Sequence, residues 1–126
     1  MPESLDLLGR ERISFGGDPA FFRSEDVLVT GAAGTIGSAL VRALRHAGVA
    51  VCGVDRRSAN EVDVQGDLCD TTFLKTVLAG RSVVFHAAAL KHVDRAELDP
   101  DLAWRINRDL VREICGARQP GSRFLF

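Results

Sequence analysis

The residues of this chain best suited to chemistry are the run Thr30-Gly31-Ala32-Ala33-Gly34-Thr35-Ile36-Gly37. Its glycines stand between an apolar, β-branched stretch, Val27-Leu28-Val29, and a segment with helical periodicity. Gly31 permits a tight turn out of a strand, Gly34 admits a ligand to the backbone with no Cβ in the way, and Gly37 lets the helix lie close to the sheet. The amides of Ala33, Thr35 and Ile36, with those of the glycines, then face a diphosphate at the positive end of a helix dipole. A ligand-free strand-to-helix turn uses the same glycines, so the context decides: a strand before, a helix after, and an acidic residue closing the next strand.

That acidic residue is Asp55, at the end of the apolar run Val49–Val54. A carboxylate there accepts hydrogen bonds from adenosine ribose hydroxyls, which favours NAD. Arg56 and Arg57 follow at once and offer guanidinium groups to the 2′-phosphate of NADP. The expected cofactor is NAD or NADP, with NAD favoured. Farther on, Gly66-Asp67-Leu68 is placed for the adenine, Asp67 accepting from its amino group and Leu68 packing on the ring; an ordinary capped turn explains the same residues.

The elements that must hold these groups follow from periodicity. Val27–Val29 reads as a buried parallel strand. Ile36, Leu40, Ala43, Leu44 and Ala47 form a helical stripe that ends at Gly48. Val62–Gly66 is a short third strand. Asp70 caps a helix with Phe73, Leu74, Val77 and Leu78 on its apolar face and Gly80 as its stop. Ser82–His86 is a fourth strand opening into an Ala87–Leu90 turn. Asp99-Pro100 starts a helix carrying Leu102, Ile106, Leu110 and Ile114 inward to near Gly116. Arg123–Phe126 begins a fifth strand. Strands alternating with helices predict an α/β, Rossmann-type doubly wound parallel sheet, truncated, of strand order 3-2-1-4-5. Residues 1–25 read as an N-terminal extension, with Leu5, Leu7 and Leu8 as an apolar contact and Gly16-Gly17-Asp18-Pro19 as a turn, packing on the domain edge or on a neighbour. Residues 26–126 read as the nucleotide-binding domain.

Composition narrows the class. The chain has 126 residues, 46% hydrophobic and 26% charged, with net charge −1, as expected of one globular domain that does not bind nucleic acid through bulk charge. No apolar run approaches the roughly 20 residues of a membrane span. Cys52, Cys69 and Cys115 show neither metal nor disulfide spacing and read as reduced, mostly buried residues of a cytoplasmic protein. His46 is expected on a helix surface, and Trp104 as a partly buried helix aromatic.

The glycine run, Asp55, the GDL at 66–68 and His86-Ala87-Ala88-Ala89-Leu90-Lys91-His92-Val93 together resemble the extended short-chain dehydrogenase/reductase superfamily. The last block is similar to the polysaccharide-biosynthesis branch, nucleotide-sugar 4,6-dehydratases and epimerases acting on UDP-N-acetylhexosamines, as is the upstream Asp6-Leu7-Leu8-Gly9-Arg10-Glu11. The resemblance covers nearly the whole chain and only the first part of such an enzyme. It implies that Ala87, Ala88 and Ala89 line the cofactor's ribose and pyrophosphate side, and that Lys91 and His92 lie near the nicotinamide ribose or the substrate. A solvated loop lysine accounts equally for Lys91. His92 reads as a loop histidine and His86 as strand-end packing. The resemblance also places Asn107 on the cofactor side, although Arg108-Asp109-Leu110 follow it where the family has a Gly-Thr pair.

Superfamily members use a Tyr-x-x-x-Lys pair for proton transfer, and the dehydratase branch often has methionine for the tyrosine. This chain has no tyrosine, its one methionine is Met1, and its lysines are Lys75 and Lys91. No catalytic or metal-binding residue is therefore assigned, and the isolated chain is expected to be inactive, its substrate domain missing. Two classes fit: the NAD(P)-binding portion of a nucleotide-sugar dehydratase or epimerase, or a non-catalytic dinucleotide-binding sensor or assembly module. An apolar fifth strand left at a sheet edge predicts a homo-oligomer.

Overall fold

The computed structural model describes residues 19–90 and 93–126. The expectations for Leu5, Leu7, Leu8, Asp6–Glu11, Gly16–Asp18, Lys91 and His92 lie outside the described residues. Five strands, β1 (Asp26–Thr30), β2 (Ala50–Asp55), β3 (Val64–Gln65), β4 (Val83–His86) and β5 (Arg123–Leu125), form one parallel sheet in the order β3-β2-β1-β4-β5. The expected topology is the one observed. The register pairs Thr30 with Val54 on one side and His86 on the other, so the turns leaving β1, β2 and β4 share one edge of the sheet.

Side chains alternate between two apolar clusters. Leu28, Cys52, Val54 and Val84 pack with Leu68, Leu74, Val77, Leu78, Leu110 and Ile114 on one face. Val27, Val29 and Val83 pack with Ala32, Val41, Leu44 and Val49 on the other. Helix α1 (Thr35–His46) buries Gly37, Val41 and Leu44, whereas Ile36 is 75% exposed. The expected stripe began one residue too early. Gly37 must face inward, as shown below, and this sets the phase of every later residue on α1. Gly48 follows at φ +77°, its amide donating to the Arg45 carbonyl, as a helix-terminating glycine does.

Helix α2 (Thr71–Leu78) starts as expected: Asp70 accepts hydrogen bonds from the amides of Thr72 and Phe73. The stretch after β4 is more divided than its sequence suggests. A short helix α3 (Val93–Leu98), not anticipated, carries no buried residue. Asp99 then caps α4 (Pro100–Trp104) through the Leu102 amide, a π-helical turn covers Arg105–Asp109, and α5 (Leu110–Ala117) continues. Leu102, Ile106, Leu110 and Ile114 recur every fourth residue, a spacing that drifts by about 40° per step around an α-helix. The π turn, in which the Leu110 amide donates to the Arg105 carbonyl, takes up part of that drift. Leu110 and Ile114 are buried, while Leu102 and Ile106 stay half-buried. Trp104 is 57% exposed rather than partly buried and lies under the Arg108 guanidinium, 4.7 Å from its carbon.

Side-chain contacts tie the described residues before β1 to the domain. Phe22 meets Phe85 edge to face at 5.7 Å, Arg23 Nε donates to the Ala47 carbonyl, and Arg123 pairs with Glu25 at 2.6 Å. The β2–β3 connection is belted to α1 by Arg42–Glu61 and Arg45–Asp63 ion pairs. Asp63 also accepts from the Gly53 amide, and a Cβ at Gly53 would fall 1.9 Å from the Glu61 carbonyl oxygen. Among the cysteines only Cys52 is buried, where burial raises its thiol pKa; Cys69 is intermediate and Cys115 exposed, against the expectation that most are buried.

Candidate functional site

The glycine turn sits at the sheet edge where β1 feeds α1, and its glycines do different jobs. Gly31 has φ +71°, and a Cβ on it would lie 2.6 Å from the Ala88 nitrogen, so the loop leaving β4 rests directly on this residue. Gly37 would place a Cβ 2.0 Å from the Gly31 carbonyl oxygen. The first turn of α1 therefore packs on the glycine turn itself, a closer fit than the helix-to-sheet contact expected. Gly34 has an ordinary extended conformation, and a Cβ there would meet nothing nearer than the Gly31 oxygen at 3.2 Å. Its missing side chain leaves open space in front of the helix.

The backbone amides divide accordingly. Ala32 donates to the Val54 carbonyl, Gly34 to the Gly31 carbonyl and Ser38 to the Gly34 carbonyl. The amides of Thr35, Ile36 and Gly37 have no acceptor among the described residues, and the first turn of α1 carries no acidic side chain. Three amide donors gathered at a helix start are groups suited to an anion, with the Asp55 carboxylate held beside them on the Ala33 amide. Ile36 is exposed, and its backbone amide is one of these donors.

Asp55 reaches back to this turn. Its Oδ2 accepts from the Ala33 amide at 3.0 Å, and its Oδ1 accepts from the Arg57 amide at 2.9 Å with Arg57 Nε 3.6 Å away. The side chain is only 10% exposed. Ala33, expected as a direct ligand contact, thus has its amide engaged by Asp55. A carboxylate has about four lone-pair directions, so two backbone donors leave room for two hydroxyls.

Arg56 lies across an open cleft of about 350 Å³ lined also by Asp67, Cys69, Asp70, Leu102, Arg105 and Ile106. Asp67 is exposed and accepts from the Cys69 amide, and Arg105 Nη2 donates to the Cys69 carbonyl at 2.8 Å. Leu68 corrects the sequence expectation: it is 6% exposed and packs in the core, so its side chain does not pave the cleft. Leu102 and Ile106 supply that apolar wall. Their periodicity marks them as core, which hides in the sequence that they line this cleft.

The loop after β4 is fastened at both ends. The Ala87 amide donates to the Thr30 carbonyl, and the Ala88 amide donates to Thr30 Oγ1 at 3.3 Å. Thr30 Oγ1 in turn stands 2.6 Å from His86 Nδ1, both residues buried. Burial pushes the imidazole pKa down to about 4, so His86 is neutral near pH 7. At the far end Asn107 grips Leu90, its Oδ1 accepting from the Leu90 amide and its Nδ2 donating to the Leu90 carbonyl. Asn107 was expected to contact the cofactor; its amide is engaged with the backbone, and what it positions is the loop. Ala87 and Ala88 are half-buried beside Gly31, and Ala89 is exposed.

No helix of the described residues is long and apolar enough to cross a membrane. Residues 27–126 match the profile of the NAD dependent epimerase/dehydratase family. The dTDP-glucose 4,6-dehydratase of Streptomyces griseus is 38% identical, over 64% of this chain and 30% of its own length. A short-chain dehydrogenase/reductase superfamily protein from Agrobacterium tumefaciens, solved with bound NAD, superposes with a TM-score of 0.69 at 33% identity, covering 78% of this chain and 30% of that one. MoeE5, solved with UDP-glucose and NAD, gives 0.65 at 40% identity, covering 73% and 31%. The chain spans no more than 30% of the length of the curated relatives it matches, in their N-terminal part. With its sheet order, glycine turn and strand-end aspartate, the chain belongs to the NAD dependent epimerase/dehydratase family of the short-chain dehydrogenase/reductase superfamily.

Proposed function

We propose that residues 26–126 form the NAD-binding portion of a nucleotide-sugar dehydratase or epimerase of polysaccharide biosynthesis, with residues 1–25 as an extension. The observation that carries this reading is the set of three amides at Thr35–Gly37 without acceptors among the described residues, opening onto the space that Gly34 leaves clear. The diphosphate sits there. The remaining lone pairs of Asp55 accept the adenosine ribose hydroxyls, and the adenine lies in the cleft between Arg56 and the Leu102–Ile106 wall, within reach of Asp67. NAD is preferred over NADP, because a 2′-phosphate would approach the Asp55 carboxylate. Ala87, Ala88 and Ala89 line the ribose on the nicotinamide side, and Lys91 has, by the family resemblance, a contact role toward the nicotinamide ribose or the substrate. Bound NAD supplies transient oxidation of a sugar carbon, accepting a hydride and returning it.

The substrate is a UDP-N-acetylhexosamine-type nucleotide sugar, by the likeness of residues 86–93 to that branch, and the setting is cytoplasmic. Proton transfer at a sugar hydroxyl needs a titratable group within hydrogen-bond reach. The chain has no tyrosine, and Lys75 lies exposed on α2, so these residues bind cofactor without turning over a sugar nucleotide. The exposed Leu125 on edge strand β5 favours pairing with a second copy, which light scattering would read as a dimer and a monodisperse monomer would refute.

Calorimetric titration with NAD and NADP, on wild type and Gly34→Asp, tests the reading. Saturable binding with NAD ahead, abolished by a carboxylate in front of the phosphates, is the expected result. Equal binding by the variant removes the site.

A further inference from the structure

Buried histidines at strand ends usually serve packing, and His86 has that role in part: its ring lies 6.1 Å from that of Phe124. Its polar partner gives it another. Thr30 is fully buried, and its hydroxyl oxygen takes the Ala88 amide proton. The hydroxyl carries one proton of its own, whose only acceptor among the described residues is His86 Nδ1 at 2.6 Å. The order of donation runs from the Ala88 amide to Thr30 Oγ1 to His86 Nδ1, which leaves the imidazole proton on Nε2. Ala88 is the residue whose nitrogen faces Gly31 at less than van der Waals distance for any Cβ. The alignment of one hydroxyl therefore fixes where the loop after β4 meets the glycine turn.

We infer that His86 is a positioning residue for cofactor binding, acting through the Thr30 hydroxyl to hold the Ala87–Ala89 segment against the glycine turn. The inference rests on the proposed NAD site, whose ribose wall this segment forms. Without an acceptor at Nδ1 the buried hydroxyl turns away to find another, the Ala88 amide loses its aligned partner, and the loop lifts from Gly31. An acceptor of another kind in the same place restores the arrangement.

The test compares His86→Leu, which fills the space without an acceptor, with His86→Asn, whose amide oxygen can stand in for Nδ1. NAD affinity by calorimetry and hydrogen exchange at the Ala88 amide without NAD are the two readouts. The leucine variant should bind NAD about tenfold more weakly, the equivalent of one lost hydrogen bond, and exchange faster at Ala88. The asparagine variant should stay close to wild type in both. Thr30→Val should match the leucine variant, and the double variant should be no worse than either single one, since the two side chains act as a unit. A merely structural role would lower thermal stability while leaving affinity and Ala88 exchange unchanged, and that result overturns the inference. Additive losses in the double variant overturn it too. If wild type fails to bind NAD, the cofactor reading falls, while Ala88 exchange in the two variants still decides the role of His86. Should the leucine variant not fold, imidazole nitrogen shifts in wild type at neutral pH give the answer: an unprotonated Nδ1 supports the inference and a protonated one refutes it.

Discussion

The two loops that meet at Gly31 are fixed by opposite means. The turn from β1 to α1 takes its shape from side chains that are absent: Gly31 and Gly37 sit so close to backbone that a Cβ has no place. The loop after β4 takes its shape from side chains that are present, Thr30 holding Ala88 at one end and Asn107 holding Leu90 at the other. Steric fit is unforgiving and insensitive to pH, whereas a fit made of hydrogen bonds can be tuned and titrated. The first loop should break under added bulk and the second under lost polar groups.

The largest effect at neutral pH is expected at Gly37. Gly37→Ala puts a methyl group 2.0 Å from the Gly31 oxygen, and backbone must move to admit it. Destabilisation of about 3 kcal/mol, at the upper end for overpacking, should appear in urea denaturation. A near-neutral result would mean that helix and turn are not in contact.

Acid sensitivity follows at the second loop. The His86 pKa is about 4 in the folded chain against 6.5 as its ordinary value, so between these the unfolded chain takes up a proton that the folded one refuses. Stability is unaffected above about pH 7, falls as pH drops through 6.5 toward 4, and levels off below, a total of roughly 3 kcal/mol. The difference between wild type and His86→Asn across this range isolates the histidine from the carboxylates. A pH-independent difference would show that the imidazole charges as easily in the folded chain as in the unfolded one.

Asn107→Ala removes both bonds to Leu90 at an exposed site, and a loss of about 1 kcal/mol is expected, with faster exchange of the Leu90 amide. The smallest stability effect belongs to Gly34→Ala. Its Cβ meets only one oxygen, at 3.2 Å, and φ is −80°, so stability should change by less than about 0.5 kcal/mol while NAD affinity falls. The contrast with Gly37 separates a glycine needed by the fold from one needed by a ligand.

What the sequence made legible was mostly local. Strands, caps and the glycine turn follow from periodicity and short-range chemistry, and Asp70, Asp99, Gly48 and Gly80 end or begin helices as their types suggest. Asp55 was found from its place after a strand, although its bond to Ala33 crosses 22 residues and carries no signature. The phase of α1 is hidden because Ile36 is more apolar than Gly37, while the contact that sets the phase needs the smaller residue. Leu68 suits a ligand contact by its place in the sequence, yet the core claims it, whereas Leu102 and Ile106 have the spacing of core residues and line the cleft. The Thr30–His86 pair spans 56 residues and appears only once β1 and β4 lie side by side. Helix α3, with no buried residue, left no apolar rhythm to detect.

The π turn at Arg105–Asp109 has a consequence for how this region tolerates change in length. It holds one residue more than an α-helix needs, and Asn107 sits in the middle of that surplus. Deleting any one residue of the segment would wind the surplus into regular helix and leave Leu102 and Ile114 facing nearly as they do now, because the wide turn already absorbs the extra residue. The slack in the coil and the grip on Leu90 would vanish together.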